Sequence, residues 1–234
     1  MFDRLIALDQ QLMLQLNGSD SLYMDGVMKL ITSTWVWMPL ALAAVFILAK
    51  NNSLRSFLII AVAIAATVWL CDGISSGIVK PRVARFRPTN EPLLLDQIDI
   101  VNGSRFGRYG FFSSHAANSF GIFMFIALLV RHKALSWSLF VWAAVNSFSR
   151  IYLGAHYPGD ILCGAIFGVL VAVVVYVPMR ILLKQTDHKP QKITDFYTSS
   201  GYLMEDVEVL LYVLYATYAF IFIYSFVYIS THFL

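Results

Sequence analysis

Apolar residues along this chain fall into one short amphipathic stretch followed by about six long runs. In the stretch, Leu5, Ile6, Leu8, Leu12, Met13 and Leu16 recur at helical spacing with Asp9, Gln10 and Gln11 between them. That pattern predicts a helix lying in a membrane surface rather than crossing it. Asn17-Gly18-Ser19-Asp20 ends it. The long runs cover about 30–49, 57–79, 115–130, 135–153, 157–183 and 207–229, each near the length that crosses a hydrocarbon core. Trp35 and Trp37 stand near the start of the first, where an aromatic belt belongs, and Lys50-Asn51-Asn52 stops it. Ser113-Ser114 supplies N-caps for the third and Arg131-His132-Lys133 closes it. Asp72 falls inside the second, so it needs a polar neighbour or a water-filled cavity.

Composition agrees with this pattern. Of 234 residues, 59% are hydrophobic and 13% charged, against about 25% charged in ordinary soluble domains, and the mean hydropathy is +0.68. The expected fold is all-α, a polytopic membrane bundle of about six transmembrane helices plus a short N-terminal interfacial helix. Its parts are an interfacial segment over 1–29, a five-helix core over 30–183, a polar linker over 184–205 and a further transmembrane helix over 206–234. No soluble domain remains and no internal repeat is visible. A net charge of +3, from 17 Lys and Arg against 14 Asp and Glu, is too small an excess to suggest a nucleic-acid partner. Cys71 and Cys163 sit in separate apolar runs without metal spacing and read as small buried hydrophobes. Residues 1–17 carry Asp3 and Asp9 and no continuous apolar core, so a cleavable signal peptide is not expected.

The polar segments carry the chemistry. Residues 80–114 bring Lys80, Arg82, Arg85, Arg87, Arg105 and Arg108 into a stretch too long and too charged for a simple connector. The turn between the fourth and fifth crossings holds Ser149-Arg150, His156 and Asp160. A guanidinium is a planar fork of donors that fits phosphate oxygens. An imidazole held by a carboxylate four residues on is a nucleophile or general base. Pro158 suits the first position of the next helix, Asp160 falls in its first turn, and the helix dipole there favours a bound anion. By the crossing count, Lys80–Pro88, Phe112–His115 and Ser149–Asp160 lie at one membrane face. Lys50, Arg55, Arg131, Lys133, Arg180, Lys184, Lys189 and Lys192 mark the other, which the positive-inside rule assigns to the cytoplasm. The site is thus expected at the outer or periplasmic face of the cytoplasmic membrane, with both chain ends on that side.

These three segments resemble the three-part signature of the phosphatidic acid phosphatase type 2 superfamily, shared with acid phosphatases and vanadium haloperoxidases. Lys80 through Arg87-Pro88 matches its Lys, six residues, Arg-Pro motif. Ser149-Arg150, His156 and Asp160 match Ser-Arg, five residues, His, three residues, Asp. The middle motif, usually Pro-Ser-Gly-His, is here Phe112-Ser113-Ser114-His115 and keeps only Ser and His. The resemblance implies that His156 attacks phosphorus and becomes a phosphohistidine, that Asp160 orients it, and that His115 is the general acid. It implies that Lys80, Arg87, Arg150, Ser113, Ser114 and the backbone N–H groups after them hold the phosphate oxygens, and that no metal or other cofactor is needed.

The implied activity is hydrolysis of a lipid phosphate monoester or diphosphate, with polyprenyl (undecaprenyl) diphosphate as first choice. Phosphatidylglycerophosphate, phosphatidate and the phosphates of lipid A stand close behind. Phosphotransfer to another acceptor, vanadate-dependent halide oxidation and a non-catalytic lipid transporter or scaffold remain as alternatives. The expected partners are the lipid substrate and the bilayer; the oligomeric state is left open. Arg82 and Arg85 are expected to touch lipid headgroups, and Arg105 and Arg108 either to do the same or to bind a second phosphate or a sugar headgroup. Asp72, Asn118 and Asn146 are expected to be interhelical hydrogen-bonding partners or supports behind the reacting residues, and His132, His188 and His232 to be solvated.

Overall fold

The computed structural model describes residues 2–186 and 196–232. The linker expected at 184–205 is therefore described only at its two ends: His188, Lys189, Pro190 and Lys192 lie outside the described residues, as does the side chain of His232. The described chain is all helical, with no β-strand among these residues. The helices are α1 (Phe2–Leu16), α2 (Leu22–Ile31), α3 (Met38–Asn51), α4 (Leu54–Asp72), α5 (Lys80–Val83), α6 (Ser114–Val130), α7 (Lys133–Tyr152), α8 (Pro158–Thr186) and α9 (Met204–His232).

Among the described residues, four stretches are long and apolar enough to cross a membrane: Thr34–Asn51, Leu54–Val83, Pro158–Lys184 and Met204–Thr231. The remaining two of the expected six depart from that standard for different reasons. α6 is apolar but has only 17 residues. α7 has 20 residues, but its buried face carries Asn146, Ser147, Ser149 and Arg150, which lower its hydropathy while serving the interior. A helix enclosed by other helices can hold such groups because they find partners there.

The first crossing starts later than the hydrophobic run suggests. α2, capped by the Ser21 side chain, ends at Ile31, a 3-10 turn spans Thr34–Trp37, and Pro39 sits in the first turn of α3. The Trp37 indole N–H donates to the Ile31 carbonyl (2.8 Å), so a buried side chain satisfies a backbone acceptor freed by the break. The second crossing changes character midway. α4 passes through a π-helix over Gly73–Val79 into α5, and Asp72 finds its polar neighbour there, accepting from the Ser76 hydroxyl at 3.3 Å.

α6 is the inner helix, packed against α4, α7 and α8. Its approach to α8 is set by two glycines one turn apart. A methyl on Gly164 would strike the Ser113 carbonyl oxygen, and one on Gly168 the carbonyl of Ala117. Small residues four apart let helix backbones close up within a bilayer. α9 lies along α2 and α3 and is tied to the end of α3 by Lys50 Nζ and Asn51 Nδ2, which donate to Asp206 at 2.7 and 2.8 Å. The site lies where α5 ends, α6 begins, α7 ends and α8 begins. α1 lies across it, with Asp9, Met13 and Asn17 on its inward stripe and Leu5, Leu8 and Leu12 exposed.

Candidate active site

His156 sits in the turn between α7 and α8, essentially without solvent exposure. Its two ring nitrogens face different partners. Nδ1 is 3.4 Å from Asp160 Oδ2, and Nε2 is 3.2 Å from Arg87 Nη1. A guanidinium donates and never accepts, so Nε2 must present its lone pair to Arg87 and the ring proton must reside on Nδ1, facing the carboxylate. The turn is held by backbone bonds from Ala155 and His156 N–H to the Arg150 carbonyl, and by Gly154, whose φ of +71° is a conformation glycine adopts without strain. Burial, and then the charges of Arg87, Arg150 and Lys80, depress the proton affinity of His156 well below the usual imidazole value. The ring is thus neutral at neutral pH with its lone pair on the cationic side.

Arg87 faces that lone pair, and Arg150 and Lys80 stand near enough for their charges to act on the ring. Arg87, in the loop after α5, donates Nε to the Tyr109 carbonyl (3.1 Å) and Nη1 to that of Ala155 (3.2 Å). Arg150, at the end of α7, donates Nη1 to Thr32 Oγ1 (2.8 Å) and lays its fork 4.6 Å from the Phe106 ring centre. Its Nε is buried without a partner. Buried donors are rarely left unpaired, and this one marks where an acceptor belongs. Lys80, the first residue of α5, donates to Ser76 Oγ (3.2 Å) and Ser114 Oγ (3.1 Å). Ser113 is the N-cap of α6, accepting from the Ala116 N–H, while its own N–H donates to the Asp160 carbonyl (3.1 Å) and locks α6 to α8. His115 follows one residue into α6. Lys80, Ser113, Ser114, His115, Arg150 and Asp160 thus lie at the helix ends that meet here, with Arg87 and His156 in the adjoining loops.

Three others had no signal in the motifs. Arg85 does not reach for headgroups: Nη1 donates to Asp160 Oδ1 (2.9 Å), Nη2 to Asp9 Oδ2 (2.7 Å), and its plane covers the Tyr157 ring at 3.9 Å. Asp9, from the helix expected only to float in the interface, also accepts the Gly159 N–H at 2.7 Å. Thr32 orients Arg150. Arg82 donates to the Ile78 carbonyl of the preceding π-helix, and Arg108 stacks on Phe86 and Tyr109. Asn146 joins α7 to α2 through the Ile31 carbonyl (3.0 Å), as expected, whereas Asn118 Oδ1 is buried without a partner. The His132 ring is no idle surface group but accepts from the Leu135 N–H and caps α7.

An apolar cavity of about 470 Å³ runs inward from the site, with His115 and Asn118 at one end and Ile122, Ile126, Val130 and Leu210 further in. Along α6, His115 to Val130 corresponds to roughly 22 Å at 1.5 Å per residue.

An all-helical protein with membrane-crossing helices and a buried cationic pocket at one bilayer face belongs to the class of integral membrane proteins that handle anionic groups attached to lipids. The sequence profile of the PAP2 superfamily matches residues 56–184, and the chain belongs to that family; it is a membrane lipid phosphatase, a hydrolase of phosphoric ester bonds. It is 42% identical over 169 residues to a protein of Bacteroides thetaiotaomicron named lipid A 4′-phosphatase, covering 72% of this chain and 75% of that one. A lipid A 4′-phosphatase of Porphyromonas gingivalis is 34% identical over 172 residues, covering 74% and 73%. Likeness to an undecaprenyl-diphosphatase of Bacillus subtilis, 35% identical, is confined to 46 residues, 20% of this chain and 24% of that one. The crystal structure of Aquifex aeolicus LpxE shares the fold, with a TM-score of 0.53 at 22% identity over 72% of this chain and 94% of that one.

Proposed function

We propose that this protein removes the 4′-phosphate of lipid A, working from the outer face of the cytoplasmic membrane through a phosphohistidine. This places the lipid A phosphates ahead of undecaprenyl diphosphate, the first choice from motifs alone. Two relatives bearing that name match over most of their length, whereas the diphosphatase likeness is short. The observation that carries the mechanism is the His156 ring, with Nε2 facing Arg87 and Nδ1 facing Asp160.

In the proposed reaction Nε2 attacks phosphorus in line, the P–O bond to the sugar breaks, and a P–N bond forms. His115 gives its proton to the departing oxygen, a role typically worth 10²–10⁴-fold. Water then cleaves the P–N bond, with His115 taking up the proton. Asp160 stabilises the charge on the ring, and Lys80, Arg87, Arg150, Ser113 and Ser114 hold the phosphoryl oxygens. Those cations supply the positive charge, so the reaction as proposed needs no metal. The five-helix core over 30–183 carries the chemistry, and the apolar cavity beside His115 receives an acyl chain of the substrate.

The test is phosphate release from lipid A, undecaprenyl diphosphate, phosphatidylglycerophosphate and phosphatidate in detergent micelles, with and without EDTA. We expect lipid A to be turned over fastest, EDTA to have no effect and His156→Ala to be inactive though folded. Faster turnover of undecaprenyl diphosphate would overturn the substrate, and an active His156→Ala the mechanism.

A further inference from the structure

We propose that Asp9 of α1 is a positioning residue for His156, acting through Arg85 and Asp160, so that the interfacial helix is part of the catalytic apparatus. The inference rests on the reading of His156 as the nucleophile. Both oxygens of the Asp9 carboxylate are engaged: Oδ2 accepts Arg85 Nη2 and Oδ1 accepts the Gly159 N–H, each at 2.7 Å. The other Arg85 nitrogen, Nη1, donates to Asp160 Oδ1 at 2.9 Å. The remaining Asp160 oxygen, Oδ2, accepts the Tyr157 N–H (3.2 Å) and faces His156 Nδ1 (3.4 Å). One guanidinium is thus held between two carboxylates, one on a surface helix and one fully buried beside the nucleophile.

Arg85 stands close to a pocket built for an anion, where a released guanidinium would be drawn to phosphate. Asp9 prevents this by holding one edge of the fork, leaving the other aimed at Asp160. It also clasps the first turn of α8, the helix that presents Asp160. The fit is tight, since a methyl on Gly159 would lie 2.8 Å from Asp9 Oδ2. The rest of the same stripe of α1 fixes its register. Met13 is buried with Leu94, Ile98, Ile151 and Tyr157, and Asn17 donates to the carbonyls of Asp99 and Tyr152. Misplacing a reacting group by about 1 Å is enough to cost a large factor in rate.

The test is a double-mutant cycle on the full-length enzyme in micelles, reading phosphate release from lipid A, with phosphatidate as a second probe. Asp9→Asn is expected to lower kcat about tenfold with KM changed by less than about twofold, as loss of alignment rather than of binding would do. Asp9→Glu, which keeps the charge, recovers part of that loss. In an Arg85→Gln background, Asp9→Asn changes kcat by less than about twofold, because the path through Arg85 is already cut. Should Asp9→Asn fail to fold, Asp9→Glu completes the same cycle: it lowers kcat in the wild-type background and leaves Arg85→Gln unchanged. Wild-type kcat in a folded Asp9→Asn, losses that multiply in the double variant, or an effect on KM alone would each overturn the proposal. A dead His156→Ala beside an unimpaired Asp9→Asn sinks this inference alone, whereas an active His156→Ala sinks the nucleophile with it.

Discussion

A histidine is a competent nucleophile only while its lone pair is free, and the surroundings of His156 keep it so. Burial and three nearby cations hold its proton affinity well below the ordinary value of 6.5. In the unfolded chain the same ring protonates near that value, so below it the unfolded state binds more protons than the folded one. This contribution to stability is fully present above pH 6.5 and is lost as pH falls toward the folded-state value. The thermal midpoint is therefore expected to fall between pH 7 and 5, and to fall less in His156→Ala, checked by melting both in detergent. Activity follows the same sign: the acid limb of kcat/KM, which reports free enzyme, should lie below pH 6.5. A limb at or above that value would contradict the environment described. The motif residues were legible because their spacing is short and fixed, within 80–88, 113–115 and 149–160. Asp9 and Arg85 were not, because an ion pair 76 positions apart leaves no local trace.

Elements meet at this site because helices end there, and the tightest junction is α6 on α8. Gly164 and Gly168 bring the α8 backbone against the carbonyls of Ser113 and Ala117, and the Ser113 N–H to Asp160 carbonyl bond joins the two helix starts. Gly168→Ala should destabilise the protein by about 1–3 kcal/mol, the usual cost of overpacking, read as a lower melting temperature. Gly164→Ala should in addition lower kcat, since its methyl strikes the turn that presents His115. A kcat unchanged in folded Gly164→Ala would show that the spacing of these helices is not critical to the reaction. Which helix the fifth apolar run packs against was not legible in the sequence, because hydropathy records burial and not partners.

The molecule as a whole pairs a cationic cup with an apolar cavity running down α6, and a lipid phosphate has matching parts. Ala44 lines that cavity from α3. Ala44→Phe, which fills part of it, should raise KM for long-chain phosphatidate while leaving short-chain phosphatidate unchanged. Equal effects on both chain lengths would place the chain elsewhere. α9 shares in the enclosure through Leu210 and is fastened at Asp206, so the C-terminal helix closes a wall outside the region matched by the PAP2 profile.

Hydrophobic run length and motif spacing are local properties, and they alone determined that the chain is helical, lies in a membrane and handles phosphate. They placed His156, Asp160, Arg87 and Arg150 in one candidate set before any fold was known. What required tertiary structure was every relation between distant segments: the tautomer that Arg87 and Asp160 impose on His156, the break between α2 and α3, the capture of Arg85 by Asp9, and the cavity. Those arise from which surfaces meet when helices pack, and packing depends on the shape and charge of both partners at once.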